Sequence, residues 1–217
     1  TYVVYMDHDF HARILYYDHD EESWTPPVTI GDCIAETGWA KGIKDGHNVP
    51  NLWVSASGTI HVFYGSHGTP FKYARSRRPE EIGDWELGRR ISNYATYPFF
   101  TELPSGRLLV FYRYGLTGGY KNPFLAVQET ADDGRSWEDL RKIGAFRNAC
   151  KINGQNALYD PRTERIFLNL ALRPDKQWAF YLCQYDPRSH HVFSWDGKTD
   201  LGTMPNDDDL VKHGNID

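Results

Sequence analysis

Short strand-forming runs, four tryptophan-ended polar turns and a repeat of about fifty residues predict an all-β fold, a β-propeller of four-stranded antiparallel blades. Aromatic residues make up 15% of the 217-residue chain and interleave with Val, Ile and Thr, and no amphipathic helix of three turns stands out. The tryptophans are Trp24 in "DHDEESW", Trp85 in "RPEEIGDW", Trp137 in "TADDGRSW" and Trp195 in "HHVFSW", at intervals of 61, 52 and 58 residues. Such spacing is that of propeller blades.

Within each repeat the strands follow in order. The strand leading into the turn is "ARILYYD", "FKYARS", "FLAVQE" or "AFYLCQYD", and the one before it is "YVVYMD", "TIHVFYG", "RLLVFYR" or "RIFLNLA". An earlier, innermost strand follows "HNVP", "TYPF" and "GQNA". The chain then divides into approximate blades 1–40, 41–92, 93–148 and 149–210 of one partial propeller domain, 1–217. Thr1 enters at a second strand, and the terminal "KHGNID" reads as the start of a further innermost strand. Because a propeller closes into a ring of roughly four to eight blades to protect its edges, the chain is expected to be part of a larger ring.

One turn, "TADDGRSW" from Thr130 to Trp137, fits the Asp-box pattern S/T-x-D-x-G-x-S/T-W. Asp132 is expected to accept hydrogen bonds from N–H groups of the turn, Gly134 to take a conformation other residues resist, and Trp137 to pack between neighbouring blades. The motif argues for fold and not for chemistry.

Composition narrows the functional classes. With 24 basic and 29 acidic residues the formal charge is −5, and Arg and Lys are scattered, so nucleic acid is not an expected partner. No apolar run reaches the length of a membrane span and no signal peptide opens the chain, so membrane insertion is not expected either. Cys33, Cys150 and Cys183 are odd in number and far apart, which predicts buried free thiols rather than disulfides or structural zinc. No carboxylate cluster for calcium is evident, and neither a metal nor another cofactor is expected.

In a propeller the innermost strand of every blade starts on one face, and the next strand returns to it. That rule predicts one polar mouth, with His47, Asn48 and His67 from the second blade, Tyr97 and Arg113 from the third, and Asn153, Gln155 and Arg173 from the fourth. His8, His19, His61, His190, His191 and His213 have no such placement and are expected on the surface or in packing.

The stretches "DGHNVPNLWVSASGTIHVFYGSHGTPFKYARS" and "TYPFFTELPSGRLLVFYR" resemble the BNR-repeat propellers that include ulvan lyases and rhamnosyl-glucuronate lyases. The spacings of twenty residues from His47 to His67 and sixteen from Tyr97 to Arg113 are similar to that family's. The resemblance implies a ring of about seven blades, a uronic-acid-containing polysaccharide as substrate, cleavage by β-elimination and export from the cytoplasm. Some ulvan lyases carry a Cys and His zinc site soon after the motif arginine, and Leu116 to Lys142 offers no such ligands.

The implied chemistry assigns roles. Arg113, helped by Arg173, neutralises the uronate carboxylate; His47 is the base and Tyr97 the acid; His67 orients the sugar or assists neutralisation; Asn48 and Gln155 bind substrate. The His47 and Tyr97 roles are exchangeable, and Tyr97 alone is able to serve both in a syn elimination. A sialidase-like glycoside hydrolase and a noncatalytic carbohydrate-binding propeller remain as alternatives.

Overall fold

The structure is a computed structural model that describes residues 1–35, 41–115, 123–145, 151–173 and 179–214, with residues 151–155 described in backbone alone. Its contacts divide it into two compact units, Thr1–Ala95 and Thr96–Asp217. All but one of the described elements are β-strands, and the named strands pair antiparallel.

In the first unit, β1 (Tyr2–Met6) and β2 (His11–Asp18) pair antiparallel, and β2 also pairs with β3 (Ser23–Trp24) and β4 (Val28–Asp32). β5 (Asn51–Val54), β6 (Ile60–Tyr64) and β7 (His67–Ser76) then form a meander. Alternation along β2 buries Ala12 and Ile14, whereas all five residues of β6 are buried, as befits a strand covered on both faces. Ala12, Ile14, Ile30, Ile60, Val62 and Trp85 build one core. Each large aliphatic side chain so removed from water contributes about 1.5–3 kcal/mol.

β8 (Trp85–Glu102) begins beside β7 and ends in the second unit, where its later part pairs with β9 (Leu108–Tyr114). β10 (Phe124–Thr130) and β11 (Arg141–Ala145) complete that meander. β12 (Lys151–Asp160), β13 (Arg165–Arg173), β14 (Ala179–Tyr185) and β15 (Val192–Phe193) form a four-stranded antiparallel sheet. Phe111, Leu125, Leu168, Leu170, Leu172 and Tyr185 belong to the second core.

Two expectations are corrected. Tyr97 does not stand before the start of a new strand; it lies inside β8, where the β8–β9 register shifts between Thr96 and Phe99. Pro98 has no N–H for the ladder and Tyr97 has φ 51°, so the chain bulges there instead of breaking. The described part of the terminal "KHGNID" is not strand either. Lys212 and His213 end the helix α1 (Asp207–His213), and residues 215–217 lie outside the described residues. Asn206 and Asp209 form a reciprocal capping box, with acidic residues in the first turn and basic ones in the last, which complements the helix dipole.

The Thr130–Trp137 turn behaves largely as its pattern predicts. Asp132 accepts the Ser136 N–H at 2.8 Å and the Ser136 hydroxyl at 2.6 Å, and Gly134 has φ 79°. The aligned tryptophans are less uniform than their spacing: Trp85 is 9% exposed, Trp137 is half-buried, and Trp24 and Trp195 are exposed. Cys33 and Cys183 are buried free thiols, while Cys150 lies outside the described residues. Among the described residues no helix is long and apolar enough to cross a membrane.

Candidate active site

The first unit brings His47 and His67 together. Their rings stack with centroids 4.4 Å apart and planes inclined by 26°. His47 precedes β5 and His67 opens β7, so the β5–β6–β7 meander returns the second histidine beside the first. One link between the two loops is the Gly65 N–H, which donates to the Asn48 carbonyl at 3.4 Å. Gly65 and Gly68 flank the β6–β7 turn with φ of 71° and 66°, a region open to glycine at little cost, and the His67 N–H donates to the Thr69 hydroxyl at 3.2 Å.

The Nδ1 atoms of the two imidazoles are bridged by Asp45, a residue not among those expected at the site. His47 Nδ1 lies 2.6 Å from Asp45 Oδ1, and His67 Nδ1 lies 2.6 Å from Oδ2. The His47 main-chain N–H also donates to Oδ1 at 2.9 Å, and the Asn48 N–H donates to the Asp45 carbonyl at 3.1 Å. Desolvation works against the charged carboxylate, yet the His47 N–H and the two imidazoles outweigh it and hold its pKa at about 2. The signal available was the D-x-H spacing, in which an aspartate caps the backbone two residues on. Asn48 is fully buried, and neither polar atom of its side chain has a hydrogen-bond partner among the described residues.

Asp45, His47 and His67 each offer one potential ligand atom, and these three atoms lie within 4.8 Å of one another. Contacts of 2.6 Å are those of charge-assisted hydrogen bonds. A divalent ion held tetrahedrally through the same atoms at about 2.1 Å would set neighbouring ligand atoms about 3.4 Å apart. In this structure the trio is held together by hydrogen bonds.

The second unit brings Tyr97 and Arg113 together. Thr96 pairs with Arg113 across the β8–β9 ladder, and the Arg113 guanidinium carbon lies 5.5 Å from the centre of the Tyr97 ring. Arg113 is 6% exposed. Burial pushes its pKa down to about 10, which leaves it charged at neutral pH. A buried guanidinium with five donors in a fixed fork is suited to an incoming carboxylate. Arg173 ends β13, half-buried, opposite Lys151. Asn153 and Gln155 lie on β12, and their side chains fall outside the described residues.

Three of the histidines set aside by the sequence have packing or surface contacts. His61 is fully buried with Nδ1 2.8 Å from the Tyr73 hydroxyl, His190 contacts the Tyr185 hydroxyl at 2.9 Å, and His191 Nδ1 lies 2.8 Å from Asp200.

A model of the BNR repeat-containing family matches residues 1–198. An ulvan lyase of Pseudoalteromonas sp. (strain PLSV) is 30% identical over 154 residues, which cover 63% of this chain and 30% of that protein. An ulvan lyase of Nonlabens ulvanivorans is 28% identical over 177 residues, 73% of this chain and 36% of that protein. The fold is similar to that of a solved PL25 ulvan lyase bound to -[GlcA(1-4)Rha3S]-, with a TM-score of 0.77 and 19% identity, covering 98% of this chain and 55% of that one. The chain thus spans well under two thirds of the length of each of these relatives.

Proposed function

The chain belongs to the BNR repeat-containing family, and from that premise we propose that it forms part of a polysaccharide lyase that cleaves a uronic-acid-containing polymer by β-elimination. The observation that carries this reading is the stacked His47–His67 pair, twenty residues apart, in a chain similar to ulvan lyases. The polymer is of the ulvan or rhamnosyl-glucuronate type, in keeping with the glucuronate and sulfated rhamnose bound by the solved lyase of similar fold. The repeats are read as four-stranded propeller blades, four of them within residues 1–210.

In the proposed reaction Arg113, helped by Arg173, grips the uronate carboxylate and stabilises the charge that grows on it in the transition state. A single well-placed donor of this kind is worth about 3–4 kcal/mol. His47 takes the proton from C5, and that electron pair forms the C4–C5 double bond. The bond from C4 to the bridging oxygen breaks, and the Tyr97 hydroxyl gives the leaving oxygen its proton. His67 orients the sugar or helps to neutralise its carboxylate, and Gln155 contacts the chain of sugars; Asn48, expected to bind substrate, is fully buried and is given no contact with it. Because its polymer lies outside the cytoplasm, the protein is proposed to act in secreted, periplasmic or cell-surface form.

The test incubates the full polypeptide with ulvan and with rhamnosyl-glucuronate polymers and follows the ultraviolet absorbance of the new conjugated double bond. A rise that is lost in His47→Ala and in Arg113→Ala is the expected outcome. New reducing ends without that absorbance would mean hydrolysis, and binding without either product would mean a noncatalytic carbohydrate-binding protein; both outcomes reject the lyase.

A further inference from the structure

We propose that Asp45 is the positioning residue of the histidine pair, a single carboxylate that holds both imidazoles as Nδ1–H tautomers and leaves Nε2 of each as the acceptor. The inference rests on the lyase reading for its catalytic consequence, and on geometry alone for the tautomers.

An ionised carboxylate can only accept hydrogen bonds. Oδ1 and Oδ2 each lie 2.6 Å from a histidine Nδ1, so each Nδ1 must carry the hydrogen. A neutral imidazole has one such hydrogen, and the lone pair is then on Nε2. Asp45 is itself fixed, since its side chain is 14% exposed, Oδ1 also accepts the His47 main-chain N–H at 2.9 Å, and its carbonyl holds the Asn48 N–H at 3.1 Å. One rigid anion therefore sets the orientation and tautomer of two rings whose centroids are 4.4 Å apart. His47, with its side chain 59% exposed, keeps its Nε2 as the atom that takes the proton, and His67, at 16%, backs it from beneath the surface.

Asparagine at this position makes a discriminating variant. Its side chain offers one acceptor oxygen and one donor NH2 group, so it can satisfy one Nδ1–H and must present N–H to the other ring. In the full polypeptide labelled with nitrogen-15 at histidine, and with signals assigned through His47→Gln and His67→Gln, both wild-type rings are expected to show the Nδ1–H pattern at neutral pH. In Asp45→Asn one ring is expected to move its hydrogen to Nε2, and kcat for elimination to fall about 100-fold with KM changed less than about threefold. Asp45→Glu, with two acceptor oxygens, is expected to keep Nδ1–H in both rings and to recover part of kcat.

An Nε2–H pattern at either ring of the wild-type protein, which requires no variant to fold, overturns the proposal. So does stoichiometric zinc binding that is lost in Asp45→Asn, because the carboxylate would then be a ligand. An unchanged kcat in a folded Asp45→Asn protein overturns the positioning role. The Nδ1–H pattern at both rings without elimination on either polymer supports the tautomer assignment and rejects the lyase reading.

Discussion

Tyr97 holds a backbone conformation, φ 51°, that a residue with a Cβ takes only at a cost, and it does so just before a proline, where extended geometry is the norm. Strain of this kind costs about 1–3 kcal/mol and persists where the surroundings dictate it. Here the bulge at Pro98 and the pairing of Phe99 with Phe111 dictate it, and the result is a phenol ring set against the Arg113 guanidinium. Tyr97→Gly and Tyr97→Ala both remove the phenol and should both lose elimination activity. Yet the glycine variant should be the more stable by about 1 kcal/mol in urea denaturation, because glycine takes the left-handed region without penalty. Equal stabilities would mean that the backbone there is relaxed in solution.

Among the elements, the turn from Thr130 to Trp137 is the clearest case of a short segment that organises itself. Desolvation opposes the Asp132 charge, but the Ser136 hydroxyl and N–H and the Thr130 hydroxyl hold the carboxyl at about 2, below its ordinary value of 3.8. A depressed folded-state pKa gives stability that is fully present above the unfolded value and lost as pH falls through the folded one. Asp132→Ala should therefore lower stability at pH 7 by about 1–2 kcal/mol, and the difference from wild type should shrink between about pH 4 and pH 2. Denaturation curves at both ends of that range decide it, and a difference independent of pH would contradict the role given to the charge. The helix Asp207–His213 is a second self-contained element, fixed by its Asn206 and Asp209 capping box.

For the whole molecule, each unit has its own core, and each core buries a cysteine. Burial pushes the Cys33 and Cys183 thiols up to about 12, so neither forms thiolate near neutral pH. Treating the native protein with iodoacetamide and mapping peptides should leave both unmodified, and prior unfolding should make both react. Labelling of either thiol under native conditions would show that its core opens readily. The cores also explain the strand patterns: a strand covered on one face alternates, as in His11–Asp18, and one covered on both faces is buried throughout, as in Ile60–Tyr64, where His61 is accommodated by its contact with the Tyr73 hydroxyl.

The sequence by itself determined the strands, their antiparallel order, the Thr130–Trp137 turn and the pairing of His47 with His67, because side-chain periodicity and turn chemistry are local and a meander brings strand ends back to fixed places. It also carried the family resemblance through "DGHN" and "TYPF". What it did not yield was the part played by Asp45, since one aspartate among many becomes distinctive only when a residue twenty-two positions later comes to rest on its second oxygen. The bulge at Tyr97 was hidden for a similar reason: a strand that kinks and one that stops have the same local sequence, and only pairing with Arg113 and Phe111 decides between them. The terminal helix has its own local signals in the capping pair Asn206 and Asp209 and in Gly214 at its end.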